Sequence, residues 1–209
     1  MNIDVSFVGS GVFGKIYKVK QGKKTFAFKI SSKKEHFLHA LIYNTVNCKR
    51  FIVKPLRVAL SDRKIIHQKA KEKKYGYPIE YLDGRSLIDF VNDSKVPRQD
   101  KLVVREQIRK AILCLWSHGF IHGDLHPGNI MVVYKRKKPV AKIIDFGLAY
   151  LYEKPKKTQD KSEWFKNKWK EHLKYAKQSV GNPNSLFIDP EIVTNVYISK
   201  DFPRKLFRL

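Results

Sequence analysis

His122-Gly123-Asp124-Leu125-His126-Pro127-Gly128-Asn129 is the stretch on which the reading of this chain turns. Asp124 and Asn129 stand five residues apart across a turn forced by Pro127 and Gly128. A carboxylate and an amide at that spacing suit an attacking hydroxyl and a metal, since one accepts a proton and the other offers a hard oxygen. Taken alone, the segment also fits an ordinary Asx-rich loop. Twenty-one residues after Asp124 the apolar run Lys142-Ile143-Ile144 delivers Asp145-Phe146-Gly147. Asp145 is a second carboxylate, suited to hold Mg²⁺ beside a nucleotide.

Working back toward the N-terminus, Gly9-Ser10-Gly11-Val12-Phe13-Gly14-Lys15-Ile16 is a G-x-G-x-x-G pattern between two strand-like stretches. Missing Cβ atoms let backbone N–H groups approach phosphate oxygens closely. By itself such a hairpin is as readily a plain turn. A dinucleotide fold is disfavoured, because it needs a helix directly after the glycines and the residues from Lys15 to Val19 alternate like a strand. Ala27-Phe28-Lys29-Ile30 then places a lysine within reach of anything the loop covers, and Glu35 is the only acidic residue between Lys29 and Asp62. A buried lysine needs a counter-charge. Glu35 supplies one, or is a surface glutamate of a helix.

Around these segments the chain reads as α+β. Residues up to 30 alternate in antiparallel hairpins, and 34–48 carry Phe37, Leu38, Leu41, Ile42 and Thr45 as a helical stripe. Strands are expected at 51–60, 64–68 and 78–82. Ser86 caps a short helix, a longer helix over 98–117 turns Leu102, Ile108, Ile112, Leu115 and Trp116 inward, and short strands follow at 130–134 and 141–144. Further on, 163–180 form an amphipathic pattern with Phe165, Trp169 and Leu173 on one face and lysines on the other.

Composition sets the outer limits. The chain has 209 residues, 43% apolar and 12% aromatic, which excludes wholesale disorder. No apolar run approaches the roughly 20 residues of a membrane-spanning helix. Two cysteines, Cys48 and Cys114, are too few for a disulfide framework, and a reducing compartment is expected. A net charge of +24 favours polyanionic partners: nucleic acid, an anionic membrane face or an acidic protein.

The glycine loop, the lysine strand, the His-Gly-Asp loop and the Asp-Phe-Gly triplet, in that order, resemble the protein-kinase-like phosphotransferases. The resemblance implies a bilobal protein-kinase-like fold. Its N-lobe, residues 1–82, is an antiparallel sheet plus one helix; its C-lobe, 83–209, is shortened and mainly helical. The same resemblance implies ATP and Mg²⁺. Val8, Gly9, Gly11 and Gly14 belong to the cover over ATP, Lys29 contacts the phosphates and Glu35 pairs with Lys29. Asp124 is the catalytic base, assisted by Lys29 and Asn129, while Asn129 and Asp145 hold the metal. Ile79-Glu80-Tyr81-Leu82 resembles the interlobe hinge, with Ile79 as gatekeeper and the backbone of Glu80 and Leu82 meeting adenine. Ile16, Ala27 and Met131 sandwich the purine.

Departures from the family shape the expected function. Gly123 replaces the arginine that links many such kinases to a phosphorylated activation segment, so control by that route is not expected. His126 and the loop around it also resemble aminoglycoside and choline phosphotransferases, which keeps a small-molecule acceptor as the alternative to a protein. A pseudokinase acting as a basic binding module is the third reading, opposed by the intact Lys29, Asp124, Asn129 and Asp145. Only 62 residues follow Gly147, and Asp189-Pro190-Glu191 only faintly resembles the end of an activation segment. The expectation is a compact Ser/Thr protein kinase of viral or bacterial-effector type. It would act as a monomer in the cytoplasm, a host's cytoplasm if viral or effector, on a protein substrate.

Overall fold

The computed structural model describes residues 2–11 and 14–151, apart from the side chain of Trp116. Val12 and Phe13 of the glycine motif, the helix expected at 163–180 and the Asp189-Pro190-Glu191 match lie outside the described residues.

Three strands open the chain: β1 (Ile3–Gly11), β2 (Gly14–Gln21) and β3 (Lys24–Ile30). Helix α1 (Lys33–Thr45) follows, capped by the Ser32 hydroxyl, which accepts from the Glu35 N–H. Helix α2 (Leu60–Ala70) and strand β4 (Gly76–Glu80) complete the N-terminal part. The four strands form one antiparallel sheet in the order β1-β2-β3-β4.

Side chains alternate across this sheet, so its two faces do different jobs. Tyr17 pairs with Phe28 and Val19 with Phe26, and these four join Ile3, Ile30 and Ile66 of α2 in a separate apolar cluster. Ile16 pairs with Lys29 on the opposite face. That face looks toward α1 and the rest of the molecule.

Two stretches differ from the expectation. Residues 64–68, expected as strand, belong to helix α2, so the N-terminal part carries a second helix beside α1. Two isoleucines among polar and basic residues do not separate a short strand from a helix segment by pattern, and the contact of Ile66 with the sheet decides. Residues 51–60 make only isolated bridges, Ile52 with Ile143 and Pro55 with Ile79.

Beyond the hinge come β5 (Gly84–Ser86), α3 (Leu87–Asn92) and α4 (Arg98–Ser117). Then follow β6 (Phe120–Ile121), β7 (Ile130–Lys135), β8 (Lys138–Ile143) and β9 (Tyr150–Leu151). β5, β7 and β8 form one small sheet, β6 and β9 another. Val104, Ile108, Ala111, Ile112 and Leu115 are the buried face of α4, whereas Leu102, expected inside, is exposed. The main core runs from Ile42 and Phe51 through Phe90 and Ile108 to Ile130, Ile143 and Phe146, joining both parts of the chain. Cys48 and Cys114, 66 residues apart, are joined by a disulfide that ties the segment after α1 to α4.

Candidate active site

A cleft of about 380 Å³ separates the four-stranded sheet from the lower part of the molecule. Val8, Gly9, Gly11, Gly14 and Ile16 line its roof, Ala27 and Lys29 its back, Ile79, Glu80 and Leu82 its hinge side, and Met131 and Asp145 its floor. Val8 sits where the β1–β2 register slips between Phe7 and Gly9, a bulge that re-aims the strand as it enters the glycine turn. Gly14 lies so close to β3 that a Cβ there would come within 2.1 Å of the Ile30 carbonyl oxygen.

Lys29 is buried, and its Nζ lies 2.5 Å from Glu35 Oε1 and 2.9 Å from Asp145 Oδ1. Burial alone would raise the Asp145 carboxyl, but Lys29, His122 and the Gly147 N–H outweigh it and hold the group below the usual carboxylate range. Asp145 adopts φ +63°, a left-handed conformation that aspartate tolerates better than most residues.

The loop before β7 arranges its own donors. His126 caps the turn over 127–129, its Nδ1 accepting from the Gly128 N–H at 3.1 Å. Asn129 Nδ2 donates to the Asp124 backbone oxygen at 2.8 Å and to Asp124 Oδ2 at 3.2 Å. With its amino group so engaged, the amide presents Oδ1 as an acceptor. The Asn129 carbonyl accepts from the Ile144 N–H at 3.0 Å, which binds this loop to the strand that delivers Asp145. Burial lifts the Asp124 carboxyl above its usual range; His126, 3.9 Å away, opposes this, and the Asp145 carboxylate adds to it. That is the direction that makes a carboxylate a better proton acceptor.

Gly123, between His122 and Asp124, has φ +81°, and a Cβ there would stand 2.1 Å from the Leu148 carbonyl oxygen. No side chain fits that position without moving the backbone. His122 Nε2 contacts the Ile144 carbonyl at 2.9 Å, and its ring lies against Phe146.

Four further residues belong to this site and escaped the sequence reading. Lys142, buried in β8, donates to Glu80 Oε1 at 2.5 Å and to the Ile52 carbonyl at 3.0 Å. It pins the hinge glutamate, whose Oε1 also accepts from the Lys54 N–H. A lone lysine inside the apolar run before Asp145 was the available signal. Tyr77 and Ser31 both donate to the Glu35 carboxylate, and His39 stacks on Phe146 with ring centroids 5.0 Å apart.

A cleft roofed by a glycine hairpin, a lysine locked between two carboxylates and, on the loop before β7, a hydrogen-bonded Asp–Asn pair make up the arrangement of a phosphotransferase site. The protein kinase domain family matches residues 3–199, and the chain belongs to it. Myosin light chain kinase 3 from Rattus norvegicus is 30% identical over 131 residues, 62% of this chain and 14% of that protein. The Homo sapiens protein of the same name matches at the same identity. Serine/threonine-protein kinase pkn2 from Myxococcus xanthus is 29% identical over 75 residues, 36% of this chain and 9% of that protein. The matched stretch is thus a small part of each relative.

Proposed function

We propose that the chain transfers the γ-phosphoryl group of Mg²⁺-ATP to a Ser or Thr hydroxyl of a protein. The observation that carries this reading is the double hold on Lys29 by Glu35 and Asp145 at the cleft, whose lining residue Ile144 donates its N–H to the Asn129 carbonyl and so ties the Asp124–Asn129 pair to the same place. The apolar walls formed by Ile16, Ala27 and Met131 suit a purine, and Lys29 sits where phosphates would end.

Asn129 Oδ1 and the Asp145 carboxylate are hard oxygen donors of the kind Mg²⁺ takes, so the residues fit the ion. When bound, Mg²⁺ neutralises charge on the phosphates. Asp124 accepts the proton of the attacking hydroxyl, and its hydrogen bond from Asn129 fixes the carboxylate for that role. Lys29 is held in place before the nucleotide arrives, so little reorganisation is needed as charge develops. Glu80, pinned through its side chain and through its N–H, which donates to the Lys54 carbonyl at 2.8 Å, has its carbonyl oxygen to offer adenine.

Similarity to serine/threonine-protein kinase pkn2 and to the myosin light chain kinases supports a protein acceptor. The net charge of +24 supports an acidic one. Labelled ATP offered separately with a panel of acidic and basic proteins and with a panel of amino-alcohols and sugars tests the proposal. Label on protein Ser or Thr is expected. Label confined to the small hydroxyl compounds would make the chain a small-molecule kinase, and His126 beside Asp124 would then belong to the acceptor site.

A further inference from the structure

Glu35 has more donors than its ion pair requires. Its side chain is 2% exposed, and Oε1 receives both Lys29 Nζ at 2.5 Å and the Tyr77 hydroxyl at 3.1 Å. The Ser31 hydroxyl donates to Oε2. The sheet register explains the first two: Lys29 of β3 and Tyr77 of β4 are direct cross-strand partners. Directly paired residues point to the same face, so the ammonium and the phenol stand side by side over one carboxylate of α1.

Packing alone does not require this hydroxyl. The Tyr77 ring is buried, stacked on His36 at 4.4 Å and edge-on to His39 at 5.9 Å, and phenylalanine would serve those contacts equally. The hydroxyl also lies 3.4 Å from His39 Nδ1. His39 Nε2 is 2.7 Å from the Val53 carbonyl, which can only accept, so Nε2 carries the imidazole proton and Nδ1 is a bare acceptor. Two acceptors therefore compete for the single proton of Tyr77, and the nearer, charged one wins. Burial, with Glu35 alongside, keeps the phenol protonated.

Lys29 has a carboxylate on each side. Glu35 is the one with two hydroxyl donors fixing its rotamer; Asp145, whose side chain is 24% exposed, has the Gly147 N–H at 3.3 Å besides Lys29. We propose that Tyr77, assisted by Ser31, is a positioning residue for phosphoryl transfer: its hydroxyl holds the Glu35 carboxylate where Glu35 aligns Lys29. This rests on the kinase reading. It places the docking of α1, among the described residues, in contacts built into β3, β4 and the α1 N-terminus.

The test is a double-mutant cycle in the full chain, read as label transferred from ATP to casein and to the chain itself. Tyr77→Phe is expected to lower kcat/KM for ATP about tenfold, as for loss of a hydrogen bond to a buried charged group, with KM for casein unchanged. In a Glu35→Gln background the same substitution should change the rate less than twofold, because its effect runs through that carboxylate. Ser31→Ala should behave likewise with a smaller loss. Equal activity of Tyr77→Phe and the natural chain overturns the proposal. So does an equal loss in both backgrounds, the mark of a merely structural hydroxyl. A natural chain that binds Mg²⁺-ATP but transfers no label contradicts the kinase reading by itself. Tyr77 is then judged by the same cycle on the ATP dissociation constant, where additive effects overturn it, and a chain that binds no ATP overturns both.

Discussion

At position 39 the fold buries an imidazole against the Asp-Phe-Gly phenylalanine, where its Nε2 serves the buried Val53 carbonyl at 2.7 Å. Burial lowers the His39 pKa from 6.5 to about 4, although its bond to the Val53 carbonyl works the other way, and Lys29 and His36 add to the fall while Asp145 opposes it. Between those two pH values the unfolded chain binds the proton that the folded chain refuses. Stability therefore falls as pH drops from 6.5 toward 4, by about 3 kcal/mol from this group. Urea unfolding at pH 7 and pH 4.5 should show that loss in the natural chain and a smaller one in His39→Leu; parallel losses would show that His39 is not the group responsible. The same residue marks where the sequence stops being legible. Lys29, Glu35, Asp124, Asn129 and Asp145 sit in short motifs whose spacing carries their chemistry. Tyr77, Ser31 and His39 reach the site only through register and helix rotation, which no local spacing encodes.

Helix α1 repeats that lesson at the scale of an element. Its apolar stripe suggested that Phe37 and Leu41 face inward, yet the buried positions are Glu35, His39 and Ile42, and Phe37 is 67% exposed. The ion pair with Lys29 sets the rotation of the helix, and hydrophobicity follows where it can. Helix α2 shows the reverse case, since burial of Ile66 against Val19, Phe26 and Phe28 leads there, with His67 edge-on to Phe28 and Asp62 accepting from Gln21 at 2.9 Å. Glu72, just after it, accepts from Lys15 at 2.6 Å and from Tyr17 at 2.8 Å, joining the end of α2 to the strand behind the glycine turn. Ile66→Ala should cost about 2–5 kcal/mol, read from the denaturant midpoint; a loss below 1 kcal/mol would mean that α2 does not pack there. The Cys48–Cys114 bridge closes a long loop between α1 and α4. Reduction should lower stability by at most about 4 kcal/mol on the chain-entropy account. Dithiothreitol that leaves the unfolding midpoint unmoved would argue against the bridge.

For the whole molecule, the active arrangement is assembled from internal contacts. One continuous core joins the two parts, Phe146 is stacked on His39 and meets the His122 ring at a tilt, and Lys142 ties β8 to the hinge. Gly123 puts no side chain, and so no cation, at the position directly before Asp124 to await a phosphate. Protein made in bacteria and treated with phosphatase should be as active as untreated protein when given Mg²⁺-ATP. Loss of most activity on that treatment, recovered with a phosphomimetic at Thr158, Ser162 or Ser179, would show that a switch overrides these contacts.

The central claim is that Lys29, Asp124 and Asp145 form one phosphotransfer site, and labelled ATP tests it most directly. Transfer to protein hydroxyls by the natural chain should vanish in Lys29→Met and in Asp145→Asn. It should fall by about 10²–10⁴-fold in Asp124→Asn, with ATP affinity little changed. All three variants should remain folded. Undiminished transfer in Lys29→Met or Asp124→Asn at saturating Mg²⁺-ATP would contradict the account.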